Sequence, residues 1–228
     1  MRHHRRLLQR RSLQHRTPPP AHHRRPDRSR PTVRRHATRA ARGIRVRTFI
    51  AIALSDEIRT RLAAAQERLR AANCPVKWVK PDLMHVTLRF LGEIQEPAIP
   101  DIERTLASAA HGVRPFQVTV AGLGAFPERG APRVLWAGLS DNGSLALLNR
   151  RIEDSLSQLG FAPQDRPFSP HLTLGRVKDP RRAHALRRLL DKHASATFGS
   201  CTIEELLLIL SVVSPAGPTY TPLRRQRL

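Results

Sequence analysis

Two tetrapeptides hold most of the chemistry available to this chain. His85-Val86-Thr87-Leu88 and His171-Leu172-Thr173-Leu174 each set an imidazole two residues before a hydroxyl, with an apolar residue after each. On a strand, side chains alternate between faces, so His85 and Thr87 point one way while Val86 and Leu88 point into a core, and the second motif does the same. Imidazole, with a reference pKa of about 6.5, takes or gives a proton near neutral pH. A threonine hydroxyl can hydrogen-bond an oxygen on which charge is building. One such motif is a weak signal, because a strand histidine bonded to a neighbour is the common case. Two at equivalent places in a repeat are a strong one.

The elements that must position these residues recur in the same order. Thr48 to Leu54 reads as a buried strand, and Ser55-Asp56-Glu57 caps a helix over about 56–72 with Ile58, Leu62, Ala65 and Leu69 on one face. Strands follow at Val76 to Val79 and His85 to Leu91, then a helix from Pro97 to near His111, then a strand on which Phe116, Val118 and Val120 alternate. The second half gives a strand at Val134 to Leu139, a helix with Leu145, Leu148, Ile152, Leu156 and Leu159, a strand at Ser169 to Val177, a helix from Pro180 to His193, and strands near 196–203 and 205–213. An offset of 86 carries Leu62 to Leu148, Pro81 to Pro167, His85 to His171 and Thr87 to Thr173. Such repetition implies an α+β fold of two similar lobes with antiparallel sheets facing across a central cleft and helices outside.

Composition narrows the setting. The 228 residues carry 40 Lys+Arg against 18 Asp+Glu, which favours a polyanionic partner. The longest apolar run, Phe49 to Leu54, like Leu206 to Leu210, is far short of the roughly 20 residues that span a bilayer. Cys74 and Cys201 form neither a disulfide framework nor a zinc site by ligand spacing, and a reducing cytoplasm is the expected location. There is no phosphate-binding P-loop, and Gly122-Leu123-Gly124 lacks the third glycine of a dinucleotide fingerprint.

Charge is uneven along the chain. Residues 1–45 hold 15 arginines, six histidines and one acid, Asp27, for a net +14, and residues 46–228 carry +8. With so few apolar residues, the first segment reads as a disordered basic extension to a single two-lobed domain over 46–228. It has neither the apolar stretch of a signal peptide nor the composition of a presequence. Either it tethers nucleic acid or it is an artefact of start-site choice, since a GTG codon at Val46 would place a start just before the first strand.

The paired motifs resemble the two-histidine (2H) phosphoesterase superfamily, and within it the RNA 2′,3′-cyclic phosphodiesterases, also called 2′-5′ RNA ligases. Thr48-Phe49-Ile50-Ala51-Ile52, Leu83-Met84, Phe90-Leu91-Gly92 and Pro167-Phe168-Ser169-Pro170 carry the likeness. Gly124-Ala125-Phe126-Pro127, Val134-Leu135-Trp136-Ala137-Gly138 and Gly217-Pro218-Thr219-Tyr220 extend it over about 47–224. Met84 stands where the family usually has His or Asn, and Gly175 where it commonly has Ala.

The resemblance implies hydrolysis of RNA 2′,3′-cyclic phosphate ends to 2′-phosphomonoesters, with reverse 2′-5′ ligation through the same acid-base pair. It makes His85 the proton donor and His171 the acceptor, with Thr87 and Thr173 holding the phosphate, and it calls for no metal and no cofactor. Arg176, near the end of the second motif's strand, either pairs with the phosphate or the next nucleotide or is a solvated arginine. Phe49 either stacks on a base, as an aromatic near the cleft does in the family, or is core. Trp78, Trp136 and Tyr220 read as packing residues. The expected partner is RNA with a cyclic phosphate end, met by a monomer. A non-catalytic RNA-binding module explains the charge but not the paired His and Thr, and a metal-dependent nuclease predicts clustered carboxylates where this chain scatters its acids.

Overall fold

A computed structural model describes residues 44–228. The expected basic extension therefore lies outside the described residues, except for Ile44 and Arg45, and Arg45 opens the first strand.

The chain runs through β1 (Arg45–Ile52), α1 (Asp56–Arg70), β2 (Val76–Trp78), β3 (Val86–Gln95), α2 (Ile99–Ala110), β4 (Phe116–Phe126) and β5 (Val134–Ser140). It continues through α3 (Ser144–Gln158), β6 (His171–Val177), α4 (His184–Lys192), β7 (Thr197–Ile203), β8 (Glu205–Ser214) and β9 (Gly217–Arg227). Ser55 caps α1 by accepting from the Ile58 amide, with Asp56 and Glu57 in the first turn against the helix dipole. The helices bury the expected stripes: Ile58, Leu62, Ala65 and Leu69 in α1, and Leu145, Leu148, Ile152 and Leu156 in α3. Each such leucine or isoleucine, fully removed from water, contributes about 1.5–3 kcal/mol.

The strands order as β7-β4-β5-β6-β3-β1-β8-β9, with β2 paired to β6 off that path. Read outward from the β6–β3 junction, the order follows the repeat, since at the 86-residue offset β6 matches β3, β5 matches β1 and β8 matches β4, with β7 and β9 added at the two edges. All pairings are antiparallel, and the only β3–β6 pair is Val86 with Leu172. Two half-sheets thus meet at a one-pair seam.

The lobes are not the two halves of the sequence. β1 and β3 share their half-sheet with β8 and β9, on which α2 packs, while α3 packs on β3. The other half-sheet, β4 to β7, carries α1 and α4. Each half of the chain therefore sends its first helix to the far lobe, and this exchange ties the lobes together. The buried amide of Gln66, on α1, donates to the Leu174 carbonyl at 2.8 Å, and that of Asn149, on α3, donates to the Leu88 carbonyl at 2.9 Å.

One strand was not anticipated. β9 contains Pro218 and Pro222 and three arginines, a composition that reads as a loop. It is an edge strand, where proline and charge are tolerated because one side of the ladder faces solvent.

Candidate active site

The seam sets the geometry of the two motifs. Because Val86 pairs with Leu172 in an antiparallel sense, His85 stands level with Thr173 and Thr87 with His171. Val86, Leu88, Leu172 and Leu174 are buried, and the four polar residues are part-exposed on the opposite face.

Each imidazole is held in the same way. His85 Nδ1 donates to the Leu83 carbonyl at 2.8 Å, and His171 Nδ1 donates to the Ser169 carbonyl at 2.8 Å. Locally, this follows from proline. Pro81 starts a tight 3₁₀ turn, Pro81–Leu83, that presents the Leu83 carbonyl, and Pro170 restricts Ser169 to extended backbone. With Nδ1 committed as a donor, Nε2 of each ring is the atom left to exchange protons. His85 Nε2 lies 3.1 Å from Thr87 Oγ1, whose hydroxyl can donate to it.

The rings rest on aromatic supports. Phe49 stacks on His85 with centroids 4.7 Å apart, and Tyr220 meets the edges of Phe49 and His85 at 5.1 and 5.3 Å. On the other side, Phe126 meets His171 edge-on at 5.1 Å and leans on Trp136 at 5.5 Å. The Trp136 ring lies over Gly124, where a Cβ would come within 2.3 Å of it. Phe49, with base stacking as one of its two expected roles, is 2% exposed with its face covered by the imidazole. It can therefore act on a substrate only through His85. Tyr220, expected as a packing residue, also braces the wall that carries His85.

Burial pushes the His85 imidazole below its ordinary 6.5, the Leu83 carbonyl opposes that shift, and charge on His171 adds to it. Burial raises the Tyr220 phenol, while Arg176 and Arg47 act on it in the opposite sense.

Arg176 reaches this face because β6 is bulged. Thr173 pairs with Trp136 and Gly175 with Leu135, leaving Leu174 unmatched, so Arg176, opposite Val134, returns to the face of His171 and Thr173. β3 is bulged at the same place, with Thr87 opposite Ala51, Arg89 opposite Ile50 and Leu88 unmatched. Phe90, 56% exposed, thereby takes the position on the first wall that Arg176 takes on the second. The departures noted in the sequence have packing reasons. Met84 is a buried core residue, and a Cβ on Gly175 would stand 2.6 Å from Val76 Cγ1.

A bilobal α+β scaffold with a His and a Thr on each wall of its seam defines a two-histidine phosphoesterase. A family model described as LigT like Phosphoesterase matches twice, over residues 52–136 and 138–220, the second match starting 86 residues after the first. The chain belongs to this family. It is 34% identical to the RNA 2′,3′-cyclic phosphodiesterase of Methanothermobacter thermautotrophicus over 185 residues, covering 81% of this chain and 100% of that protein. It is 36% identical to the Archaeoglobus fulgidus protein of the same name over 179 residues, covering 78% and 98%. Among solved structures, one from Thermus thermophilus superposes with a TM-score of 0.68 at 32% identity, covering 80% of this chain and 97% of the other. E. coli LigT complexed with 3′-AMP gives 0.60 at 28%, covering 81% and 99%.

Proposed function

We propose that this protein is an RNA 2′,3′-cyclic phosphodiesterase that opens the cyclic phosphate to a 2′-phosphomonoester without a metal ion. The observation that carries this reading is the matched pair of imidazoles, each with Nδ1 tied to a backbone carbonyl two residues earlier and Nε2 left for proton transfer. The names of the relatives support the substrate, and a nucleotide bound to E. coli LigT supports a site of the right size.

Hydrolysis needs a base for water and an acid for the departing ribose oxygen. His171 Nε2 takes a proton from water as its oxygen attacks phosphorus, and His85 Nε2–H gives a proton to the 3′ oxygen as the P–O bond breaks. Thr87 and Thr173, one on each wall, donate to the non-bridging oxygens as charge grows on them, and Arg176 adds a cation on the second wall. The two imidazoles supply both proton transfers, and the hydroxyls and guanidinium supply the charge stabilisation, so the steps close on the chain's own groups. With a 5′ hydroxyl in place of water as the nucleophile, the same two proton transfers open the cyclic phosphate into a 2′-5′ linkage, and abundant water favours hydrolysis.

Because a single chain supplies every group, the reading is of a monomer, and the unpaired Cys74 and Cys201 support action in a reducing cytoplasm. Among the described residues, no helix is long and apolar enough to cross a membrane.

The test is to incubate the protein, with and without EDTA, with an oligoribonucleotide ending in a 2′,3′-cyclic phosphate and to identify the product. A 2′-phosphate formed equally under both conditions is expected. A 3′-phosphate, or turnover that needs added Mg²⁺ or Mn²⁺, would overturn the reading.

A further inference from the structure

β2 has no counterpart in the repeat, since residues 162–164, 86 positions later, lie in the connection between α3 and β6. It extends the second wall past the seam, pairing Val76 with Val177, Lys77 with Arg176 and Trp78 with Gly175. Val76 and Trp78 turn toward the core, where their Cγ1 and Cε3 atoms stand 2.6 and 3.2 Å from the position of a Cβ on the buried Gly175. Lys77, between them, must point the other way, onto the face to which the β6 bulge returns Arg176.

Lys77 is exposed, and among the described residues its ammonium has no hydrogen-bond or ion-pair partner. The equivalent stretch of the first wall ends in Phe90 and has no added strand. The second wall therefore sets two cations side by side where the first wall has Phe90, and the first-wall cation is Arg47 of β1, which acts on Tyr220. Moving away from His171 and Thr173, the surface offers Arg176 and then Lys77.

We propose that Lys77 binds the phosphodiester immediately upstream of the reacting phosphate, so that the protein is built for the 3′ end of an RNA strand, which leaves the cleft over β2. This rests on the hydrolysis proposed above. A lysine suits the task, because a flexible point charge accepts a backbone phosphate whose position shifts with sequence.

The experiment compares a nucleoside 2′,3′-cyclic phosphate with an oligoribonucleotide bearing the same terminal nucleotide and cyclic end. Lys77→Ala should raise KM for the oligonucleotide roughly three- to fivefold with kcat unchanged, the worth of one exposed charge contact. Lys77→Glu should raise it further, and Lys77→Arg should restore it. All three should leave the mononucleotide unaffected. The salt dependence of log(1/KM) should lose about 0.7 from its slope on the oligonucleotide, one phosphate contact on a single strand. Lys192→Glu, on the exposed surface of α4, serves as the control for net charge. Equal effects on both substrates, no effect on the oligonucleotide, or the same effect from Lys192→Glu would each overturn the proposal. Failure of the unaltered protein to turn over either substrate would sink the hydrolysis reading instead, and oligonucleotide binding by the same variants would then decide Lys77.

Discussion

Asn149 on α3 donates its side-chain amide to the carbonyl oxygen of Leu88, the residue that the β3 bulge leaves without a partner opposite it. Gln66 on α1 does the same for Leu174 in the β6 bulge and also donates to the Val79 carbonyl at 2.8 Å. The bulges turn Phe90 and Arg176 toward the site, and the amides offset their cost, because a buried carbonyl without a donor is expensive. Asn149→Leu should therefore destabilise the fold by about 1–3 kcal/mol despite its greater apolarity, measured by urea unfolding, because the Leu88 carbonyl then keeps only the longer 3.4 Å contact from Gln164. Gln66→Leu should cost a similar amount, since it strips the Val79 carbonyl, while the Leu174 carbonyl keeps the Val79 amide at 2.9 Å. A neutral or stabilising result for both would remove the amides from the account of the bulges.

Gly175 offers a second test of packing at the same bulge. A methyl group there meets Val76 Cγ1 at 2.6 Å in the present arrangement, so Gly175→Ala should overpack the β2–β6 contact and cost about 1–3 kcal/mol. Val76→Ala removes the obstructing methyls. The double variant should recover most of the loss, and simple additivity of the two single costs would show that the collision is relieved elsewhere.

The bulges also mark the limit of what could be read from the sequence. The α+β class, the four helices, the strands of both motifs and the 86-residue repeat follow from periodicity, capping residues and the matched tetrapeptides, because apolar spacing is a local signal. Arg176 is different. Strict alternation puts a residue five places after His171 on the opposite face, and only the unmatched Leu174 brings it back. The exchange of α1 and α3 between lobes is likewise a long-range choice, with no local mark beyond two polar residues, Gln66 and Asn149, on otherwise apolar faces. The ring-holding carbonyls of Leu83 and Ser169 were within reach, since they too are 86 residues apart and each precedes its histidine by two.

The lowered His85 pKa gives the pH dependence a sign. A proton donor must be charged, so kcat/KM should fall as pH rises through the free protein's His85 pKa, which lies below 6.5. A phosphate anion in the cleft favours the imidazolium. The alkaline limb of the kcat profile should therefore sit at higher pH than that of kcat/KM. NMR titration of the His85 ring with and without inorganic phosphate checks the same shift directly. Coincident limbs and an unmoved titration would mean that the anion does not reach His85. The stability linkage has a sign too. With the folded pKa below the unfolded one, this residue's contribution is full above about 6.5 and is lost as pH falls through the folded value.

The division of labour between the two histidines can be separated by the leaving group. The repeat makes their surroundings nearly equivalent at the seam, and family resemblance assigns donation to His85 and acceptance to His171. A ribose 3′ oxygen is a poor leaving group that needs the proton, whereas a nitrophenolate leaves without one. His85→Ala should therefore lose about 10²- to 10⁴-fold in kcat on a cyclic phosphate end and far less on a nitrophenyl phosphodiester, while His171→Ala stays impaired on both. The variants should be compared at matched folded fractions, because His85 also fills the space over Phe49. The opposite pattern would reverse the assignment. Losses below about tenfold for both variants on both substrates would be too small for general acid-base catalysis and would return the paired histidines to a structural role.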